Sequence, residues 1–309
     1  MNLGWAAATA AVSFAVAQAT PTQGAQLVVL AVALVVLGLP HGALDDRVSA
    51  RIFRVRGILF YVAYLAPVVA TGLAWWVAPQ ASFLAFLAAS AWHFGEGDLR
   101  ELGPGPGATA ARLTRGALIV GVLFTAQPAQ VAELLGPSLS AEAPPAHASV
   151  TIALSLLAVH AAALIAARGD RLSTTRAVVD AAAVTLWLSL APPLLAFAGY
   201  FACWHSRAHV ETLYREGFGR AFWVRSLRLT VAAAVGGAVV LACVHRFAPQ
   251  VAIAEALLPV IAALAAPHMA LVEAWRRRAR SGLWAHGGPR LRKEGAASNH
   301  APPGAVARR

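Results

Sequence analysis

Charged side chains are scarce in this sequence. Only 13% of its 309 residues are Asp, Glu, Lys or Arg, whereas 59% are hydrophobic, and the mean hydropathy is +0.63. A soluble domain has about 25% charged and about 45–50% apolar residues, so this composition excludes an ordinary soluble protein. The apolar residues form long blocks between short Arg-rich or Pro/Gly-rich stretches. This pattern is typical of helices that span a bilayer.

Cysteine and several catalytic motifs are also missing. Cys203 and Cys243 are the two cysteines, each inside or beside an apolar block, and they provide no disulfide framework. The sequence has no G-x-x-x-x-G-K-[ST] phosphate loop, no G-x-S-x-G nucleophile, no H-E-x-x-H zinc motif and no C-x-x-C-H haem attachment. The adjacent histidine pairs of membrane di-iron desaturases are absent, and so is the apolar/polar alternation of a membrane β-barrel.

The apolar blocks predict an all-α, polytopic integral membrane bundle of about eight to ten transmembrane helices. The ten candidate segments are 5–19, 25–41, 57–77, 81–93, 116–135, 149–167, 177–190, 194–209, 227–245 and 251–269. The first is read as a weak membrane helix, with a cleaved signal as the alternative, although it lacks a positively charged start. The break at 191–193 is either a kink or a turn. Residues 1–275 form the membrane domain, and 276–309 are predicted to be a disordered basic cytoplasmic tail.

Arginine follows every second block. With ten segments, the basic gaps come after the second, fourth, sixth, eighth and tenth blocks, and Arg112 and Arg115 belong to the second of these gaps. By the positive-inside rule, this alternation places both termini and the basic loops in the cytoplasm, with the chain in the cell inner membrane. The net charge of +11 is therefore read as an orientation signal, and no nucleic-acid partner is predicted. Asp180 is read as a charge at a helix start.

Five of the ten histidines fall at the predicted cytoplasmic ends of four helices. They are His41, His93, His205, His209 and His268. Ionisable groups near hydrocarbon usually face the bundle interior and mark functional sites, and imidazole is the commonest metal-ligating side chain. His205 and His209 are four positions apart, which places both on one helix face. The set predicts a mostly imidazole metal site suited to Fe, Cu, Zn or Ni. The alternative for His268 is an interfacial hydrogen bond or a place in the lining of a substrate pocket.

Acidic and aromatic residues flank these histidines. The acids that could hold the second ring nitrogen of a ligating histidine are Asp45, Glu96, Asp98 and Glu211. They equally fit helix-end charges paired with neighbouring arginines. The aromatic residues that could line a pocket for a long apolar substrate are Trp92, Phe94, Tyr200 and Trp204. The alternative for these is an interfacial aromatic belt.

Four segments, GLPHGALDD, SAWHFGEGD, CWHSRAHVET and APHMAL, occur in this order. Together they resemble the Brp/Blh family of bacterial and archaeal β-carotene 15,15′-dioxygenases over about residues 38–273. The resemblance implies a membrane enzyme in which His41, His93, His205 and His209 bind Fe(II), with His268 matching a further family histidine. It also implies cleavage of β-carotene or a related carotenoid with O2 into two all-trans-retinal molecules. A rhodopsin-type protein is the expected recipient of the retinal.

Two other functional classes remain open at the sequence level. One is a haem-binding electron-transfer protein that uses two of the histidines as axial ligands, which leaves the other motif histidines without a role. The other is a transporter, or an assembly factor for a retinal protein, in which the histidines form a proton or metal path.

Overall fold

The computed structural model describes residues 22–136, 139, 146–168, 170–219 and 222–280. Helices occupy most of this part of the chain, and it contains no strand. The predicted first segment and residues 281–309 of the predicted tail lie outside the described residues. Residues 276–280, which were assigned to that tail, continue the last helix instead.

The described chain is a succession of eleven helices. In chain order they are α1 (Gln23–Ile52), α2 (Ile58–Val77), α3 (Pro79–Asp98), α4 (Pro106–Thr125), α5 (Pro128–Leu135), α6 (Ala146–Ala167), α7 (Arg171–Leu190), α8 (Pro193–Gly199), α9 (Arg207–Arg215), α10 (Phe222–Phe247) and α11 (Ile253–Arg280). π-Helical turns occur within α1 at Leu34–Gly38 and between α8 and α9 at Tyr200–Ser206, and a turn at Ala43 and Leu44 interrupts α1.

Six of the described helices are long and apolar enough to cross a membrane. They are α1, α2, α4, α6, α10 and α11. The all-α membrane bundle is therefore confirmed. The two other long helices, α3 and α7, and the continuous α8–α9 stretch supply three further long segments, but more polar residues interrupt them. Nine of the ten predicted segments therefore fall on described helices, and six of the described helices qualify as spans by length and hydropathy.

Two predicted boundaries change in the structure. The segment predicted at 116–135 is two helices, because α4 begins at Pro106 and ends at Thr125, and α5 follows it. At the 191–193 break, Ala191 and Pro192 are extended, with ψ of 146° and 144°. A residue that precedes proline is driven away from helical geometry, so this break separates two helices and is not a kink.

Glycine lets α3 and α4 pack backbone to backbone. A Cβ at Gly95 would lie 1.9 Å from the Arg112 carbonyl oxygen, and one at Gly116 would lie 1.7 Å from the Ala91 carbonyl oxygen. Small residues at such crossings allow the close packing on which membrane helix pairs depend. The contact fixes the end of α3 that carries the histidine of SAWHFGEGD.

We expect Gly95→Ala to reduce the yield of monodisperse protein severely, because the added methyl group meets a backbone carbonyl that cannot move away alone. Gly72→Ala in α2 is the matched control, since a Cβ there meets nothing within 4 Å. Size-exclusion profiles of the two variants, extracted under identical conditions, measure the difference. Equal yields of folded protein would contradict the tight α3–α4 crossing.

Candidate metal centre

Five imidazole rings meet inside the bundle, and they are the five that the sequence placed at one depth. Their side chains belong to residues between 2% and 8% exposed: His41, His93, His205, His209 and His268. The ring centroid of His41 lies 5.7 Å from that of His205, 5.6 Å from that of His209 and 4.6 Å from that of His268. That of His93 lies 4.9 Å from His205. Four separate helical segments therefore deliver one imidazole cluster.

Both π-helical turns lie next to this cluster. The turn Leu34–Gly38 ends three residues before His41, and the turn Tyr200–Ser206 contains His205. A π turn shifts the residues that follow it around the helix axis, and such turns are frequent at functional sites. The two turns approach closely, since a Cβ at Gly38 would lie 2.9 Å from the Phe201 ring. The turns thus bring α1 and the α8–α9 stretch together at the imidazoles.

His93 and His205 face each other through their Nε2 atoms, which are 3.2 Å apart. Two imidazoles in this position either share one proton in a hydrogen bond or direct both lone pairs to a common ion. Nitrogens about 2.1 Å from a shared metal, at an angle of about 100°, lie roughly 3.2 Å apart. The observed separation therefore fits a pair of ligands.

Hydrogen bonds direct two further Nε2 lone pairs. The Nδ1 atom of His41 bonds to the Gly38 carbonyl oxygen, and that of His268 lies 2.9 Å from Asp45 Oδ2. Because a carbonyl or carboxylate oxygen only accepts, Nδ1 carries the proton in both rings. Each Nε2 then keeps its lone pair, and that of His268 is buried without a hydrogen-bond partner. Carboxylate or backbone support of this kind is usual for metal-binding histidines.

Tyr64 of α2, which was not among the predicted site residues, completes the support of His268. Its hydroxyl donates to Asp45 Oδ2 over 2.8 Å, so α2, α1 and α11 are joined through one carboxylate. Gly42 provides the space, since a Cβ there would lie 3.1 Å from His268 Nδ1. The sequence contained a signal for Tyr64, because a tyrosine inside an apolar block needs a hydrogen-bond partner for its buried hydroxyl group.

The other predicted acidic partners form ion pairs with arginines. The pairs are Glu96 with Arg112 at 3.3 Å, Asp98 with Arg115 at 2.8 Å, and Glu211 with Arg207. Pairing with arginine was the alternative for Glu96 and Asp98, but their partners are arginines of α4 and not the sequence neighbour Arg100. Asp45 contacts the imidazole of His268, as described above.

Arg115 lies at the centre of a buried ion network, which corrects its assignment to a cytoplasmic loop. It is 2% exposed, and its guanidinium donates to Asp98 over 2.8 Å and to Asp180 over 3.1 Å. Arg112 is likewise buried inside α4. Asp180 is the tenth residue of α7 and not a helix-start charge. Carboxylates from other helices compensate these arginines, so their charge does not end the apolar segment.

The predicted pocket residues Tyr200 and Trp204 belong to the same network. The Tyr200 hydroxyl donates to Asp98 over 3.2 Å, and Trp204 Nε1 donates to Asp180 over 3.3 Å. Both side chains are buried and pack in the apolar core formed with α4 and α7. They therefore tie the π-helical turn that carries His205 to its neighbours, and their place in a substrate pocket stays a prediction.

Other aromatic rings contact the imidazoles directly. Phe94 lies edge-on to His205 with ring centroids 4.9 Å apart, as expected for a residue at the site. Phe201, which was not among the predicted pocket residues, stacks on His205 at 5.7 Å with an interplanar angle of 18°. Trp92 donates its Nε1 proton to Glu273 over 3.1 Å. Phe94 and Phe201 thus contribute aromatic surface to the cluster, together with the more distant rings of Tyr200 and Trp275.

The imidazoles are packed against each other. In the described part of the chain, no three His, Cys, Asp or Glu side chains are already arranged to hold a metal ion. The Nε2 atoms of His93 and His205 have a separation that suits two ligands of one ion. The donor set, five buried imidazoles of which two have defined free lone pairs, fits a borderline or soft divalent metal.

Comparison with known proteins gives the family. Residues 32–276 match the family model described as beta-carotene 15,15′-dioxygenase. The chain is 30% identical to the probable beta-carotene 15,15′-dioxygenase Blh of Halobacterium salinarum over 246 residues, 68% of each chain. It is 29% identical to the beta-carotene 15,15′-dioxygenase of an uncultured marine bacterium over 265 residues, 79% of this chain and 92% of that one. No solved structure matches it. Four histidine-bearing segments of this chain build the imidazole cluster described above, and the chain belongs to the beta-carotene 15,15′-dioxygenase family.

Proposed function

We propose that this protein is a non-haem Fe(II) dioxygenase that cleaves the central 15,15′ double bond of β-carotene with O2, giving two all-trans-retinal molecules. The observation that carries the proposal is the convergence of five buried imidazoles from four helical segments inside an apolar bundle. The names of the relatives supply the substrate. A haem protein needs two facing histidines, and a five-membered cluster exceeds that need.

His41, His93, His205 and His209 would hold the iron, and His268 would provide a further nitrogen. Because imidazoles are neutral, the ion would keep its full 2+ charge. That charge would attract a polarisable ligand in a site that excludes water. When bound, Fe(II) supplies the position at which O2 binds and is activated beside the alkene. Asp45 and the Gly38 carbonyl oxygen hold protons on Nδ1 of His268 and His41, so that Nε2 remains available in each.

The bilayer and the aromatic residues suit the substrate. β-Carotene is an apolar rod that dissolves in lipid, and spans such as α2 expose large apolar side chains, with Trp76 88% exposed and Val77 79% exposed. Phe94 and Phe201 present ring surfaces at the imidazoles, and a conjugated chain packs favourably on such faces. Exclusion of water by the surrounding helices and alignment of one double bond would determine which bond is cleaved.

Orientation and product transfer complete the proposal. The arginine alternation places the imidazole cluster toward the cytoplasmic side of the inner membrane, with both termini in the cytoplasm. Retinal released into the same bilayer is then available to a rhodopsin-type protein.

The test combines product analysis with metal exchange. Purified protein stripped by a chelator is expected to produce no retinal from β-carotene in detergent. Fe(II) added under reducing conditions is expected to restore retinal as the sole cleavage product by HPLC, whereas Zn(II) is not. Metal analysis before and after gives the stoichiometry. Folded, iron-loaded protein that forms no retinal or shorter apocarotenal would overturn the assignment in favour of a metal path, and a Soret absorption band would favour the haem class.

A further inference from the structure

A cavity of about 320 Å³ lies between the last turns of α1 and the beginning of α10. Its walls are Leu44, Arg47, Ala50, Arg51, Phe218 and Arg225. The cavity is separate from the imidazole cluster, although it lies beside the α1 segment that contains Asp45. Three arginines around an apolar floor form an unusual combination in a chain with so few charges, and neither the family nor the proposed chemistry gives it a role.

The charge of this cavity is positive. Arg47 and Arg225 are exposed, and the guanidinium of Arg51 lies 4.8 Å from the Phe218 ring centroid. Arg51 also donates to the Glu216 carbonyl oxygen over 2.8 Å, which directs it across the gap between α1 and the loop before α10. Asp46 lies 3.4 Å from Arg47 and offsets part of the charge. Guanidinium groups bind phosphate oxygens through paired N–H donors, so the cavity is suited to a phosphate group.

The surface of α10 is apolar beyond its first turns. Trp223, Val224, Leu227 and Val231, which are 52%, 75%, 58% and 50% exposed, lie on the side away from Arg225. On the side of Arg225, Leu229 and Val239 follow Arg228, and only 6% of the apolar window of α10 is buried. Because α10 is long and apolar enough to span a membrane, both sides border on lipid chains. Tryptophan at such a position is typical of the membrane–water interface. The arginines therefore lie at headgroup level, above a track for acyl chains.

We propose that this cavity binds the phosphate of an anionic phospholipid, whose acyl chains lie along the exposed face of α10. Both arginine-bearing segments come from gaps that the positive-inside pattern assigns to the cytoplasmic side, where anionic lipids attract basic residues. The lipid bridges α1 and α10, and it thereby braces the α1 turn that contains Asp45. The phosphate group is common to a lipid and to free phosphate, but the apolar track distinguishes the lipid.

Native mass spectrometry of the full chain in detergent tests the binding. Phosphatidylglycerol and phosphatidylcholine of the same acyl composition are added in separate titrations, and inorganic phosphate in a third. We expect phosphatidylglycerol to be retained at least about fivefold more strongly than phosphatidylcholine, as expected from a basic site. We expect no retention of inorganic phosphate. Equal retention of the two lipids, or phosphate retention equal to that of the anionic lipid, overturns the proposal.

Two double variants with the same change in net charge locate the site. Arg47→Gln with Arg225→Gln removes two cavity guanidinium groups and is expected to abolish the preference for phosphatidylglycerol. Arg56→Gln with Arg176→Gln removes two exposed arginines that do not line the cavity, and it is expected to preserve the preference. Equal losses in both variants would show diffuse attraction to a chain of net charge +11 and overturn the site. Retinal formation is not part of this readout, so the proposed function can fail independently.

Discussion

His205→Ala is expected to lower the rate of retinal formation to below about 1% of wild type and to reduce the bound iron in parallel. Loss of a residue that merely orients a ligand already costs about 10–100-fold in metal affinity or activity. His205 is more central, since its ring contacts His93 through facing Nε2 atoms and lies 5.7 Å from His41. β-Carotene turnover followed by HPLC, together with iron content per protein, measures the effect.

Two matched variants calibrate this prediction. His245→Ala removes an exposed imidazole near the end of α10, and it is expected to retain wild-type iron and activity. Asp45→Asn keeps every imidazole but weakens the acceptor of the His268 and Tyr64 protons, so an intermediate loss of about 10–100-fold is expected. Full iron content and activity in His205→Ala would remove this residue from the ligand set.

Arg115→Met is expected to destabilise the protein by about 3–5 kcal/mol, because it leaves the buried carboxylate of Asp98 and the partly buried carboxylate of Asp180 without their cation. Total folding stabilities are about 5–15 kcal/mol, so the loss is a large part of the whole. The temperature at which half of the protein remains monodisperse after heating measures it. Because the network also holds Tyr200 and Trp204, the imidazole cluster is expected to lose iron before the helices unfold.

Compensation distinguishes the ion network from simple loss of packing. Adding Asp98→Asn to Arg115→Met removes one uncompensated charge and is expected to recover part of the stability. Arg176→Met, at an exposed position of α7, is the control and is expected to leave the midpoint unchanged. If the double variant is less stable than Arg115→Met alone, burial of unpaired charge is not the cause.

Several properties of the site follow from the one-dimensional pattern. Apolar blocks mark where helices cross the membrane, because a segment surrounded by lipid must satisfy its backbone polar groups within its own helix. Where those blocks end, the sequence places His41, His93, His205, His209 and His268 at a common depth, and the structure shows their rings in contact. The sequence predicts the depth of a residue in the membrane, because that depth depends on its distance along a helix of known rise.

The sequence does not predict in this way which side chains of different helices pair with each other. Arg112, Arg115 and Asp180 looked like charges at segment ends, yet they lie inside α4 and α7 because each has a buried partner of opposite charge. In sequence, a charge that ends an apolar segment is indistinguishable from one that another helix neutralises. Tyr64, Asp45 and His268 show the same limit, since 223 positions separate the last two.

The sequence by itself therefore determined the fold class, the position of the imidazoles along each helix and the family. The tertiary structure decided which acids support histidines, which balance arginines, and which aromatic rings contact the cluster. The physical reason is that burial and helix formation depend on local composition, whereas hydrogen bonds and ion pairs depend on how the helices rotate and pack. In this protein two π-helical turns and the close crossing of α3 and α4 at Gly95 and Gly116 set that rotation.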